Sequence, residues 1–479
     1  MRAKSKYLLL ASLIGLMLTS WVLFFRDERL ILGLATLYPQ LSFLPLLRQT
    51  LLTLGLNTIP TFLFGLFSAT AFISYFFTLR DPSTSSPRQI KRWSLIFAAV
   101  TFLSFPALST DIFSYMASDR VLTAHQANVW QVSPDNFPDD PFVELADWTD
   151  TTRVYGLVNQ LIYTPLSFLA GDNFLLTLLL YKTVALAGFI ALTFFLTTAS
   201  SSSTPLATSA RAILFNPLFL LEIVGNSHND IFMIIFAIFS IHFFLKEKYF
   251  LSALMAALSI QVKLLFLVWV GLALIQLLRR QKIKPLAIFS AAFISFNALC
   301  FLIMQTSPLV FLERVLFNST VLWQSLSQVL QQYFALNWGR VGLVILFGLI
   351  LFCISVVWHK KHSASASSAL FFLIYLLFFM SAYWNWYCLW LVMFLPFIAN
   401  KKLFFTWQIW TLTSLFAYPL LWLSYRFFFG GFFWPILQYL WLVLPVLFAL
   451  SYDKIKGYGD KKIPAPTARE KMATKMGQG

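Results

Sequence analysis

Long apolar runs separated by short polar turns dominate the chain. They fall at 8–25, 51–79, 93–109, 174–199, 211–225, 231–245, 249–262, 264–279, 285–304, 340–358, 367–384, 386–400, 403–424 and 432–451. Many reach or approach the roughly 20 residues that a helix needs to cross the hydrocarbon core. The stretch 30–48, broken by Pro39 and Pro45, predicts an interfacial or re-entrant piece. The turns alternate in charge: R-D-P-S-T-S-S-P-R-Q-I-K-R, K-E-K, R-R-Q-K-I-K, H-K-K-H and N-K-K are basic, as cytoplasmic turns are expected to be. The pattern predicts an all-α, polytopic integral membrane protein of the plasma (inner) membrane, with about 12–14 crossings and both termini cytoplasmic. A transmembrane domain spans 1–451, and the basic, polar tail 452–479 is expected to lack fixed structure. The first run follows M-R-A-K-S-K but ends in W-V-L-F-F without a small-residue cleavage site, so it reads as a retained span.

Two longer polar segments interrupt the pattern, an external loop at 110–172 after the third run and a second at 305–338. Ser109 to Gly156 alone carries eight of the 19 Asp and Glu residues: Asp111, Asp119, Asp135, Asp139, Asp140, Glu144, Asp147 and Asp150. Only Arg120 and Arg153 offset them. A chain that crosses through short turns has little structural use for such a segment, so it is expected to form the reactive face.

Composition narrows the class. The chain is 59% hydrophobic and 11% charged, against about 25% charged in soluble domains. The net charge of +16 sits mostly in the basic turns and tail, so it reports membrane topology rather than nucleic-acid binding. Cys300, Cys353 and Cys388 lie in apolar runs and outline no disulfide framework. No Walker loop, dinucleotide fingerprint, zinc motif or G-x-S-x-G appears, which disfavours ATP-driven transport and soluble nucleotide-sugar chemistry. No internal repeat is visible, which disfavours inverted-repeat transporters.

The candidate chemistry gathers at one end of the runs. Asp111 is expected where a helix meets the outer interface. If that helix continues, Asp111, Tyr115, Ser118, Leu122 and His125 share a face. A carboxylate there is either a solvated acid at a helix end or a general base for a sugar hydroxyl. Glu222 lies inside an apolar run, where an ionisable group is a functional candidate by default, or else a protonated acid bonded to a neighbouring helix. His228, Asn229 and Asp230 follow at the same face, a set suited to sugar hydroxyls, phosphate or a metal but too small to define a metal site. A divalent cation stays open, and no other cofactor is implied. Lys263, between two short runs, either snorkels or meets a lipid-linked phosphate at headgroup depth. Glu313, Arg314, Trp323, Gln324, Trp338 and Arg340 around the second loop, and Tyr383 to Tyr387, are interfacial aromatics or sugar-binding surfaces.

In order along the chain these motifs resemble those of GT-C glycosyltransferases, above all the bacterial polyprenyl-phosphomannose-dependent alpha-mannosyltransferases. The family's D-x-x-x-Y is matched by Asp111 and Tyr115, and its N-P-x-x-x-x-E-x-x-x-x-x-H-N-D block by Asn216, Pro217, Glu222, His228, Asn229 and Asp230. A V-K pair matches at Val262-Lys263, and W-Y-x-x-W at Trp386, Tyr387 and Trp390. Two elements depart from the family: Asn128-Val129-Trp130 lacks the proline of N-P-Y, and Tyr155-Gly156 is followed by Leu157 rather than proline. The resemblance implies inverting transfer of a sugar, mannose, from a polyprenyl-phosphate donor to a glycan or glycolipid of the cell envelope on the outer face. It assigns Asp111 as base, with Lys263, His228 and Arg340 near the phosphate. Tyr115, Glu222, Asn229, Asp230, Tyr155 and Trp386 would then shape the substrate pocket. Two rivals remain at this point: a transporter or flippase of polyprenyl-linked glycans, and a non-catalytic subunit of an envelope-glycan complex.

Overall fold

A computed structural model describes residues 4–54, 58–199, 205–317, 326–334, 348–355, 363–380, 382–398, 401–427 and 434–456. These form helices joined by short turns, with no β-strand among the described residues, as expected of an all-α polytopic membrane protein. Among the described residues four helices are long and apolar enough to cross a membrane singly: Ser5–Arg26, Ile59–Thr78, Phe174–Thr198 and Ile283–Met304. Pro217–Gly225 and Asp230–Leu245 are long and apolar enough together, as a broken span or a re-entrant loop, and are bent by 115° at their junction. Other apolar runs form shorter helices, including Leu157–Ala170, Tyr249–Ile260 and Leu264–Arg279. Arg340, Trp323, Gln324, Trp338 and the tail from 457 onward lie outside the described residues.

Local chemistry interrupts several runs that hydropathy draws as continuous. The run at 93–109 is helical only as far as Phe102, because Pro106 pushes the residue before it out of the helical region. The run at 211–225 breaks where Asn216 caps a new helical start at Pro217. The run at 386–400 is two 3-10 segments, Tyr387–Met393 and Leu395–Phe397, rather than an α-helical span. The segment 110–172, expected as a loop, contains the helices Asp111–Thr123 and Leu157–Ala170. The second was hidden in the sequence by Asn159, Gln160 and Thr164, which are buried and hydrogen-bonded rather than solvated.

The acid-rich stretch is fastened by its own charges. Arg153 donates to Asp119 at 2.6 Å and to Asn159 at 2.9 Å. Arg120 donates to Asp140 at 2.6 Å and to Asp172 at 2.7 Å. His125 stacks on Phe137 and reaches Asp140 at 2.9 Å, so it leaves the face it was expected to share with Asp111. Asp147 pairs with Arg29 and accepts the Thr110 hydroxyl. Asp119, Asp140 and Asp147 therefore hold the fold, and Asp111 is the acid of this stretch that approaches His228.

Two close helix pairs carry the architecture. Ser5–Leu23 lies along Ile59–Thr78, where a Cβ on Gly15 would come within 2.5 Å of the Phe67 ring. Asp230–Leu245 lies along Tyr249–Ile260. There the Ser240 hydroxyl donates to the Ser252 carbonyl at 2.8 Å and the Ser252 hydroxyl to the Ser240 carbonyl at 2.9 Å, as small polar residues do between apolar helices. This hairpin turns at Lys246–Lys248 and brings Asp230 and Lys263 together at its other end.

Candidate active site

Three chain breaks build the site. The first follows Leu103, where the backbone turns and Asp111 opens a new helix. The Ser109 hydroxyl accepts from the Asp111 amide at 3.2 Å. A carboxylate in the first turn is favoured by the helix dipole.

The second break is the bend between Pro217 and Asp230. Asn216 accepts from the Phe219 amide at 3.1 Å and donates to Thr411 at 2.8 Å, fixing the start of the turn. Leu220–Gly225 then winds as a π-helix containing Glu222, a geometry frequent at functional sites. Ser227 takes a left-handed φ of 61°, which a non-glycine residue adopts only at some cost. His228 and Asn229 follow, and Asp230 starts the next helix.

The third break is at Val262-Lys263. Gln261 clamps it to the Tyr155-Gly156 turn: its side-chain oxygen accepts from the Leu157 amide at 2.9 Å and its carbonyl from the Asn159 amide at 3.3 Å. A Cβ on Gly156 would lie 2.4 Å from the Gln261 side-chain oxygen and 2.7 Å from its carbonyl oxygen. Gly156→Ala is therefore expected to push the Lys263 segment away from Asp111. A displacement near 1 Å can cost about a hundredfold in rate. Wild-type kcat in this variant, measured with folding intact, would contradict that reading.

These breaks converge on His228, which is fully buried. Its Nε2 lies 3.2 Å from Glu222, and its Nδ1 lies 3.7 Å from Asp111 and 4.0 Å from Asp230. Trp386 stacks on the ring, with centroids 4.2 Å apart. Neither ring nitrogen has an aligned hydrogen bond among the described residues, so the imidazole is held by stacking on Trp386 and by close packing among the acids.

The three carboxylates around it are served unequally. Asp230 accepts from Lys263 at 2.8 and 2.9 Å and from the Trp390 indole at 2.6 Å. Glu222 accepts from Tyr418 at 2.5 Å and from Asn226 at 2.7 Å. Asp111 has one long side-chain hydrogen bond, from Tyr115 at 3.3 Å. With 17% of its side chain exposed, against 0% and 1% for Glu222 and Asp230, it is also the most accessible of the three.

Electrostatics follow from this crowding. Burial raises the pKa of Asp111 above the ordinary value of 3.8, partly opposed by the neighbouring His228 and Lys263. For Lys263, burial works against the ammonium, but Asp230, Tyr155 and Asp111 outweigh it and hold its pKa above the ordinary 10.5. The Lys263 ammonium also sits 5.6 Å from the centre of the Tyr155 ring and 5.8 Å from that of Trp390, and Tyr155 meets Tyr115 edge-on. Asn229 is buried, and neither of its amide atoms has a hydrogen-bond partner among the described residues, which calls for a water or a ligand group.

Nine of the residues singled out as site candidates thus meet in one cluster, Asp111, Tyr115, Tyr155, Glu222, His228, Asn229, Asp230, Lys263 and Trp386, whereas His125 turns away to Asp140. Sequence reasoning missed Tyr418, which reaches Glu222 from a distant segment, and left Asn385 as an interfacial or sugar-binding residue beside Trp386. It also left Lys182 without a role. Lys182 is a buried cation on Phe174–Ala199 that donates to the carbonyls of Ser104 at 3.0 Å and of Gly225. It ties the turn before Asp111 to the end of the π-helix carrying Glu222. Its signal was available, since a lone lysine inside an apolar run is a functional candidate by default. Among the described residues no group of three or more His, Cys, Asp or Glu side chains is arranged to hold a metal ion.

Comparison with known proteins bears on the same cluster. A family described as Alpha-(1->6)-mannopyranosyltransferase, N-terminal domain, matches residues 35–279, an interval from before Asp111 to beyond Lys263. Alpha-(1->6)-mannopyranosyltransferase A of Mycobacterium tuberculosis is 28% identical over 208 residues, covering 42% of this chain and 40% of that protein. Its namesake in Corynebacterium glutamicum is 25% identical over 187 residues, covering 37% and 36%. The chain thus matches about two fifths of the length of these relatives. No solved structure matches it. The family match takes in just over half of the chain, and on that ground this protein belongs to the alpha-(1->6)-mannopyranosyltransferase family.

Proposed function

We propose that this protein is a membrane mannosyltransferase. It moves a mannosyl group from a polyprenyl-phosphate donor to a hydroxyl of a glycan or glycolipid on the outer face of the membrane. The observation that carries the reading is the unequal service of the three carboxylates. Asp230 and Glu222 are saturated by neighbours, whereas Asp111 stands nearly free at a cavity wall, as a proton acceptor must.

In this reading the acceptor hydroxyl gives its proton to a carboxylate oxygen of Asp111 while its oxygen bonds to the sugar's anomeric carbon. The bond from that carbon to the phosphate oxygen breaks, and polyprenyl phosphate leaves with the electron pair. One displacement inverts the anomeric centre. Lys263, held by Asp230 and flanked by Tyr155 and Trp390, offers its ammonium to the phosphate as negative charge grows there. Arg340 is assigned to the same phosphate by family resemblance alone. His228 is fully buried among carboxylates, so its part is to hold Asp111 and Glu222 in place rather than to bind phosphate itself. Tyr115 and Asn229 orient the sugar.

The basic turns support an active site on the external face, with the donor phosphate at headgroup depth. Binding both substrates there removes much of the entropic barrier. Proteoliposomes supplied with labelled polyprenyl-phosphate mannose and an envelope glycolipid fraction test the proposal. Label is expected in a new glycan product. Label that crosses the bilayer without changing its chemical form would instead identify a flippase.

A further inference from the structure

Asp111 opens onto a cavity of about 190 Å³ whose walls include Trp148, Trp384, Asn385 and Trp386. Two buried polar atoms there lack protein partners among the described residues, the side-chain oxygen of Asn385 and the indole nitrogen of Trp386. Both residues are only 4% exposed, so leaving these atoms unpaired is costly unless a ligand completes them. One is an acceptor and the other a donor. A sugar hydroxyl both donates and accepts, and it can satisfy the two at once.

The aromatic surfaces suit the same occupant. Trp384 stacks on Trp386 with centroids 5.6 Å apart, and Trp148 meets Trp384 edge-on at 6.1 Å. The charged residues on the cavity wall are Asp111 and Asp147, with no lysine or arginine. Asp147 is already held by Arg29 and the Asp111 carboxylate repels a phosphate, so this wall offers no cation to the donor headgroup. The cavity adjoins a larger one of about 470 Å³, with Ala107, Thr110 and Trp422 common to both. The larger cavity brings Arg26, Asp27, Glu28 and Arg29, a mixed-charge wall suited to neutral hydroxyl-rich chains.

We infer that the Trp148–Trp384–Asn385–Trp386 cavity is the acceptor subsite for the terminal sugar of an uncharged oligosaccharide, and that the neighbouring cavity takes the sugar before it. This rests on the transferase reading for its purpose but not for its test. Trp386 and Asn385 supply the donor and acceptor that hold one ring hydroxyl, while another hydroxyl faces Asp111. An acceptor of two or more neutral sugars is therefore bound better than a single one.

The test is a calorimetric titration of the purified protein in lipid nanodiscs, without donor. It uses methyl mannoside and mannose oligosaccharides of two to four units. Affinity is expected to rise from one unit to two and then level off. Asn385→Leu and Trp386→Phe, each removing one polar atom, should each weaken oligosaccharide binding about tenfold. Thermal unfolding establishes that both variants are folded. If one fails to fold, the other decides. Unchanged affinity in a folded variant, no gain from one unit to two, or no binding to wild type would overturn the subsite. A protein that binds the oligosaccharides as described but transfers no mannose would contradict the transferase reading and leave the subsite standing.

Discussion

Asp111→Asn is expected to lose turnover by about 10²–10⁴-fold, the usual contribution of a positioned general base, with little change in donor affinity. The amide keeps the size and shape of the carboxylate and the contact from Tyr115, but it cannot accept the acceptor's proton. Because the interaction is made only as the proton moves, kcat and kcat/KM should fall together. The pH dependence has a defined sign. Burial, set against His228 and Lys263, holds the Asp111 carboxyl above its ordinary 3.8, and only the ionised form is a base. The acid limb of the kcat/KM profile should therefore lie above pH 3.8, with activity rising as pH rises through it. Stability runs the other way. The fold favours the protonated carboxyl, so this group's contribution is complete below 3.8 and is lost as pH rises through the raised value. At neutral pH Asp111→Asn should unfold at the same temperature as wild type or higher. A markedly less stable variant would mean that Asp111 is a structural acid, like Asp119 and Asp140.

Lys263→Ala should damage both stability and function. It leaves Asp230, 1% exposed, with the Trp390 indole as its remaining side-chain hydrogen bond among the described residues. Breaking a buried pair from one side costs about 3–5 kcal/mol. It also removes the ammonium offered to the phosphate, so donor affinity should fall as well. The two losses separate in a double variant. Lys263→Met with Asp230→Asn removes both charges, and the amide oxygen introduced beside Trp390 would still accept from its indole. This pair should recover most of the lost stability without recovering donor binding. Residues in direct contact couple in this way, and a thermodynamic cycle measures the coupling. Full recovery of turnover in the double variant would show that Lys263 serves Asp230 alone and has no part at the phosphate.

Much of the site was legible because its residues are chemically conspicuous where they stand. Asp111 and Lys263 are charges at the ends of apolar runs, Glu222 is an acid within one, and His228-Asn229-Asp230 is a dense polar block. The all-α membrane class was equally plain from the apolar runs. What hydropathy could not show is how backbone chemistry bends those runs. The cap at Asn216, the π-turn after it and the left-handed Ser227 are local choices that leave apolar content unchanged. The same holds for the 3-10 segments beyond Trp386. The expectation that His125 would lie beside Asp111 failed because the helix ends at Thr123, and Gln126 turns the chain with a φ of 55°.

Long-range partners were also out of reach. Tyr418 serves Glu222 from 196 residues away, and nothing in a single sequence links them. Asn385 looked like one more interfacial residue among tryptophans. Its meaning comes from an unpaired oxygen, which is visible only once its neighbours are in place. The acid-rich stretch was misleading for the opposite reason, since its arginines lie far along the chain from the acids that they neutralise. Arg153 and Asp119 are 34 residues apart, and Arg29 and Asp147 are 118 apart.

The central claim, that Asp111 acts as a base in a single displacement, is tested most directly by the stereochemistry of the product. Labelled polyprenyl-phosphate mannose of known anomeric configuration would be turned over by the wild-type protein, and the new glycosidic bond assigned by nuclear magnetic resonance. The account predicts complete inversion and no sugar covalently attached to the protein after rapid quenching. Retention of configuration, with the sugar trapped on Asp111, would make that carboxylate a nucleophile and contradict the account.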